Sequence, residues 1–178
     1  MNSGWGSAFG YEQIWEALQQ CKSITGKPFY VSMGDYAASG GYYISCGADR
    51  IYAEPLTLTG SIGIVGLRPN VQKLLNDKIV IHTAPVSTNT SNFPDFFRTM
   101  NPEQRAAMQG YVVRGYELFG SRCANGRHMP VDSIKAIAEG RVWDGSAALR
   151  IGLVDKLGGL QQAIADMASE LESAEDYY

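Results

Sequence analysis

A serine stands between a short apolar run and a helix start, with only small residues around it. The stretch Met33-Gly34-Asp35-Tyr36-Ala37-Ala38-Ser39-Gly40-Gly41-Tyr42-Tyr43 follows Lys27-Pro28-Phe29-Tyr30-Val31-Ser32, which reads as a turn and then a strand. Gly41 to Cys46 reads as the first turns of a helix. The small neighbours expose the Ser39 hydroxyl and let a substrate backbone approach closely. The first N–H groups of a helix have no partner inside it, so they point at whatever lies beside the serine. Such groups can hold the oxyanion of an acyl-transfer intermediate. The same pattern also suits a plain N-cap with small residues for helix packing. It departs from the Gly-x-Ser-x-Gly elbow of other hydrolases. Spacing alone leaves both roles open.

The remaining chemistry is sparse. The chain has 178 residues, enough for one domain with a substantial core. A formal net charge of −3, with no basic cluster interleaved with aromatics, argues against a nucleic-acid partner. Cys21, Cys46 and Cys123 are odd in number and widely spaced, so they fit neither a disulfide framework nor a metal site. No metal or cofactor is expected. The two histidines, His82 and His128, lie far from Ser39 in sequence, and a Ser-His-Asp triad would need the fold to bring one in. No apolar run is long enough to span a membrane, and no signal peptide is recognisable. The abrupt, Gly-rich start Met1-Asn2-Ser3-Gly4-Trp5-Gly6-Ser7 suggests a piece of a longer protein.

Taken in order, Ser7 is placed to cap a helix ending near Ser23, with Phe9, Ile14, Trp15, Leu18 and Cys21 at roughly helical spacing. Phe29 to Met33 is expected as a strand suited to a parallel sheet. The Ser39 turn and its helix follow, through Ala48. A strand over Arg50 to Ala53 comes next, then a bend at Gly60–Ser61 and a strand from Ile62 to Gly66. Asn70 is expected to cap a short helix to Asn76, and Lys78 to Thr83 to form another strand. The polar stretch Ala84 to Thr99 reads as a long loop. Helices are expected from about Asn101 to Asn125, from Val131 to Glu139, and from Gly145 to Ile151 under an Asp144 cap. Leu153 to Asp155 reads as a short strand or turn, Leu160 to Leu171 as a last helix, and Glu172 to Tyr178 as a frayed tail. Alternating strands and helices argue for α/β with a mostly parallel sheet.

An ordered set of motifs resembles the signal peptide peptidase A (protease IV) family of serine peptidases. The motifs are Gly26-Lys27-Pro28 leading into Val31-Ser32-Met33-Gly34, then Ala37-Ala38-Ser39-Gly40-Gly41-Tyr42-Tyr43-Ile44-Ser45. They continue with Leu58-Thr59-Gly60-Ser61-Ile62-Gly63, Gly140-Arg141-Val142-Trp143-Asp144-Gly145, and Gly152-Leu153-Val154-Asp155 before Leu157-Gly158-Gly159. Each is weak alone; together they run in order over nearly the whole chain. The resemblance implies the Clp protease/crotonase-like fold, a spiral of ββα units. It implies a single peptidase domain over 1–178, with a spiral core over roughly 1–100 and a mostly helical part over 101–178. It marks Ser39 as nucleophile of a Ser–Lys dyad and Gly40 N–H as the first oxyanion donor. The second donor is expected at Gly6, although Gly4 and Trp5 depart from the family's Asn-Ser-Pro-Gly-Gly-Ser and Trp5 could disturb the turn. Ser61, 22 positions after Ser39, falls where the family places a hydroxyl that orients the lysine. Its plain reading is a turn serine beside Gly60.

The expected base is missing. A lysine takes a hydroxyl proton only if burial or a cationic neighbour lowers its pKa. Lys22, Lys27, Lys73, Lys78, Lys135 and Lys156 all read as solvated, and the loop from Ala84 to Asn92, where short family members place the lysine, contains none. Double-length members carry lysine and serine in separate halves, so this chain is read as a C-terminal half whose N-terminal half supplies the base. Alone it is expected to be weakly active or inactive. The resemblance further implies signal peptides and unfolded apolar segments as substrates, and a homo-oligomeric ring or bowl. It implies a place at the outer face of the bacterial inner membrane through an N-terminal anchor outside this chain, the fragment itself being soluble. The alternatives are a crotonase-type acyl-CoA enzyme and a non-catalytic scaffold half. The Tyr42-Tyr43 and Phe96-Phe97 pairs suit either assembly contacts or core packing.

Overall fold

The chain is described by a computed structural model that covers residues 1–84, 86–88 and 95–171. It divides into two compact units, one of residues 1–63 and 115–178, the other of residues 64–114.

The first unit holds two three-stranded sheets. β1 (Tyr30–Ser32) and β3 (Arg50–Ala53) pair in parallel with Val31 opposite Ile51, and β6 (Lys156–Leu157) adds on the far side of β3, also parallel. The second sheet has the order β2-β4-β5. β2 (Tyr36–Ala38) and β4 (Leu58–Gly60) are parallel, whereas β5 (Val142–Asp144) runs antiparallel to β4. A parallel pair needs a crossover, and between β2 and β4 this crossover contains α2 (Gly40–Ser45) and β3. Every residue of α2 is buried, because small glycines and flat tyrosines let it enter the core between the sheets and α1 (Ala8–Thr25). Tyr42 reaches across this core to donate its hydroxyl to the Leu153 carbonyl at 3.0 Å. Burial pushes its phenol well above the ordinary tyrosine range. Phe119 and Cys123 of α3 (Pro102–Gly126), Ile134 of α4 (Val131–Ile137) and Leu153 complete the core. α5 (Gly145–Arg150) begins under Asp144, whose carboxylate accepts from the Ala147 amide at 2.7 Å, and α6 (Leu160–Glu170) ends the described chain. Among the described residues, no helix is long and apolar enough to cross a membrane.

Several expectations need correction. The apolar stripe of α1 is Tyr11, Trp15 and Leu18, spaced one helical turn apart and half-buried, while Phe9 and Ile14 face outward at 75 % and 47 % exposure and Cys21 is exposed. β2 falls inside the stretch read as a turn. Residues Ile62 to Gly66 form no strand, because Gly60 and Ser61 both adopt positive φ and turn the chain out of the sheet. The last strand is Lys156–Leu157 rather than Leu153–Asp155; Asp155 instead accepts from the Ile51 amide and pairs with Arg127.

The second unit is built largely from irregular backbone. A π-helix over Leu74–Ile79, closed by a left-handed Val80, replaces both the helix expected to end at Asn76 and the strand expected over Lys78 to Thr83. Within this unit the Arg68 guanidinium donates to the Asp95 carbonyl, and Gln72 accepts from the Thr99 amide at 3.0 Å. The long polar loop lies partly, and the acidic tail over 172–178 wholly, outside the described residues.

Candidate active site

Ser39 joins β2 to α2 with φ 53° and ψ −114°. That region is comfortable for glycine and strained for any residue with a Cβ. Two backbone hydrogen bonds hold it there. The Ser39 amide donates to the Gly60 carbonyl at 2.9 Å, and the Ser39 carbonyl accepts from the Tyr43 amide at 2.8 Å. The side chain makes no capping bond to the helix and is half-buried. An ordinary N-cap has extended backbone and a side chain bonded to the second or third helical amide. Ser39 has neither. The bonds of α2 start with Tyr43, so the amides of Gly40, Gly41 and Tyr42 have no acceptor within the helix.

Ser61 reaches the same end of the sheet by register. Ala38 pairs with Gly60, so the residues that follow each of them, Ser39 and Ser61, occupy equivalent steps beyond paired strands. The sequence spacing between the two serines is thus the register of β2 against β4. Ser61 has φ 49°, is half-buried, and donates its amide to the Arg141 carbonyl at 2.7 Å.

The Gly-rich start is stitched to the other flank of β2. The Ser3 amide donates to the Tyr36 carbonyl at 3.0 Å, the Ser3 carbonyl accepts from the Ala38 amide at 2.9 Å, and Ser3 and Ala37 form a parallel bridge. A Cβ on Gly41 would lie 2.4 Å from the Ser3 carbonyl oxygen, so only glycine permits this approach. The chain then leads through Gly4, Trp5 and Gly6 into α1. Trp5 points away with 87 % exposure, and the Ser3 pairing to β2 is intact beside it. Tyr11, from the first turn of α1, lies against both Gly6 and Gly40. The signal in the sequence that Tyr11 points inward is its spacing of one helical turn from Trp15, followed by Leu18.

A charged network fixes α1 to its neighbours. Glu12 accepts from Arg122 of α3 and from the Tyr43 hydroxyl of α2, and the Arg122 guanidinium stacks 3.9 Å above the Trp15 ring. Burial opposes the Glu12 charge, but the bonds from Arg122 and Tyr43 outweigh it and hold the carboxyl below its ordinary value. Burial, and then the Glu12 carboxylate, pushes the Tyr43 phenol up.

Among the described residues, no hydrogen bond or ion pair joins a lysine to Ser39 or Ser61. Lys22 pairs with Asp49 and Lys156 with Asp166, both at 2.6 Å, while Lys27 and Lys135 are exposed. A cavity of about 370 Å³ lined by Trp15, Lys22, Asp49, Arg127, His128 and Asp155 includes neither serine nor Gly6 nor Gly40.

Parallel strands ending in a strained serine, with a helix start and a second strand end beside it, define an α/β protein of the Clp protease-like kind. A ClpP1 mutant from Listeria monocytogenes matches over 89 % of each chain with a TM-score of 0.50 at 10 % sequence identity, which supports the fold. Residues 22–174 match peptidase family S49, and the chain belongs to that family. It is 40 % identical over its whole length to Protease 4 from Salmonella typhi, of which it spans 29 %. It is 37 % identical over 93 % of its length to the chloroplastic serine protease SPPA of Arabidopsis thaliana, spanning 24 % of that protein. A putative signal peptide peptidase SppA of Enterococcus faecium is 32 % identical over 96 % of the chain, which spans 49 % of it. The chain therefore covers between about a quarter and a half of these relatives.

Proposed function

We propose that this chain is the nucleophile-bearing part of a serine endopeptidase that works by acyl-enzyme chemistry. The observation that carries the reading is the Ser39 turn, where a strained backbone presents a hydroxyl unused as a cap beside the unpaired amides of α2. Ser39 Oγ attacks the scissile carbonyl. The Gly40 amide and the Gly6 amide take the oxyanion, and the tetrahedral intermediate collapses to an ester with release of the amine. A lysine amine outside this chain accepts the hydroxyl proton and later returns it to the leaving group. Ser61 orients that amine, a role supported by its register position beside Ser39.

The peptides cut are extended and apolar, as in cleaved signal peptides. In this reading the whole protein is a membrane-associated homo-oligomer whose N-terminal half carries the lysine. The test compares three proteins on an unfolded polypeptide: this chain alone, the chain joined to a lysine-bearing half, and the joined protein with S39A. Turnover only in the second is expected. Equal turnover by the isolated chain would remove the external base, and turnover surviving S39A would remove the nucleophile.

A further inference from the structure

We propose that Tyr11 is a positioning residue that sets the gap between the two amide donors of the oxyanion site, Gly6 and Gly40. This rests on the reading of Ser39 as nucleophile. A Cβ built on Gly40 would fall 1.7 Å from Tyr11 Cε2, 1.9 Å from Cζ and 2.2 Å from Cδ2. A Cβ built on Gly6 would fall 2.3 Å from Tyr11 Oη and 2.8 Å from Cζ. One ring is therefore in direct contact with the backbone of both glycines, its side on the residue after the nucleophile and its hydroxyl end on the Gly-rich segment.

Gly6 lies on a segment that enters α1, whereas Gly40 opens α2. The Ser3 pairing holds the start of that segment to β2, and three residues further on the ring supplies the contact between Gly6 and Gly40. It is half-buried, packs against the core, and comes from the first turn of α1, where the Tyr11 amide bonds the Ser7 carbonyl at 3.1 Å. The next residue, Glu12, is clamped by Arg122 and Tyr43, so the helix that carries the ring is tied to the helix that begins at Gly40. Donors that stabilise a developing oxyanion act only when held in place in advance, and an error of about 1 Å costs about 100-fold. Among the described residues the Tyr11 hydroxyl has no hydrogen-bond partner, so the ring and its oxygen act through contact rather than through a hydrogen bond. The contact also explains why both flanking positions are glycine: an alanine at either would occupy the space of the ring.

The test uses a peptide boronic acid. The serine oxygen adds to boron, the hydroxyl proton passes to solvent, and the tetrahedral adduct forms at equilibrium without a general base. Boron NMR reports the tetrahedral species, and titration gives Kd for the wild-type chain, S39A, Y11F and Y11A, each with a melting curve. Y11A is expected at least about tenfold weaker than wild type, and Y11F, which keeps the contact with Gly40 and loses the atom nearest Gly6, between the two. If Y11A does not fold, Y11L takes its place. In parallel, G40A is expected to lower Tm in the wild-type background and to lose that effect in Y11A. An adduct of equal affinity in Y11A, an adduct weaker in Y11F than in Y11A, or a G40A penalty independent of Tyr11 would each overturn the inference and leave the nucleophile reading intact. No adduct on wild type beyond that on S39A would overturn the nucleophile reading, and the inference with it.

Discussion

The amide of Ser39 donates to the carbonyl of Gly60 at 2.9 Å, so the strand carrying one serine is held by the residue that precedes the other. Ser39, Gly60 and Ser61 all adopt positive φ where the paired strands end. The site is thereby built from backbone constraints more than from side-chain contacts.

Strain at Ser39 is open to direct measurement. A left-handed or neighbouring conformation costs a residue with a Cβ about 1–3 kcal/mol. S39G is therefore expected to be more stable than S39A by about 1 kcal/mol, or roughly 2–4 °C in Tm for a chain of this size. Both lose any boronate adduct. Equal melting temperatures for the two variants would show that the turn stores no strain.

The clamp on α1 predicts a pH dependence. A carboxyl held below its ordinary value of 4.5 contributes stability that is complete above that pH and is lost as pH falls through the lowered value. E12Q should flatten the acid limb of the stability curve below pH 4.5, where loss of the Glu12 charge is expected to destabilise the wild type. R122A removes one partner of a pair only about a quarter exposed and uncovers Trp15, at a cost of about 2 kcal/mol. Denaturant melts at pH 7 and pH 4 check both, and parallel acid limbs in E12Q and wild type would contradict the assignment.

G41A places a methyl 2.4 Å from the Ser3 carbonyl oxygen. The Ser3 segment should be pushed off β2 while the pairing of β2 with β4 survives. Hydrogen exchange at the Ser3 and Ala38 amides, which make the two bonds to this segment, is expected to accelerate at least about tenfold, with the Ser39 amide protected as before.

Ser61 is expected to act on the chemical step. In a protein that contains the lysine-bearing half, S61A should lower kcat by about 10–100-fold with little change in KM or Tm. A change in Tm large enough to account for the lost activity would return Ser61 to the role of a turn residue.

Much of this arrangement was readable before any coordinates. The strand over Arg50 to Ala53 and the Asp144 cap follow from β-branched burial and capping chemistry, which are local. The strand–serine–helix order around Ser39 was also local. β2 was hidden because it is three residues long and two of them are alanine, which carries little strand signal; it exists through pairing with Leu58, Thr59 and Gly60 and with Ser3. The side-by-side serines are likewise a matter of register, visible in sequence only as a spacing. Residues 78–83 misled because the apolar, β-branched run Ile79-Val80-Ile81 suits a strand, where a left-handed Val80 instead ends a wide helical turn. The contact of Tyr11 with Gly6 and Gly40 is not legible in the sequence, because it depends on side chains that two distant glycines lack.

Both flanks of β2 are occupied, one by β4 and the other by Ser3. In the proposed reading, an incoming polypeptide therefore cannot lengthen the sheet along the strand that leads to Ser39. Its recognition falls instead to surfaces other than the edges of that strand.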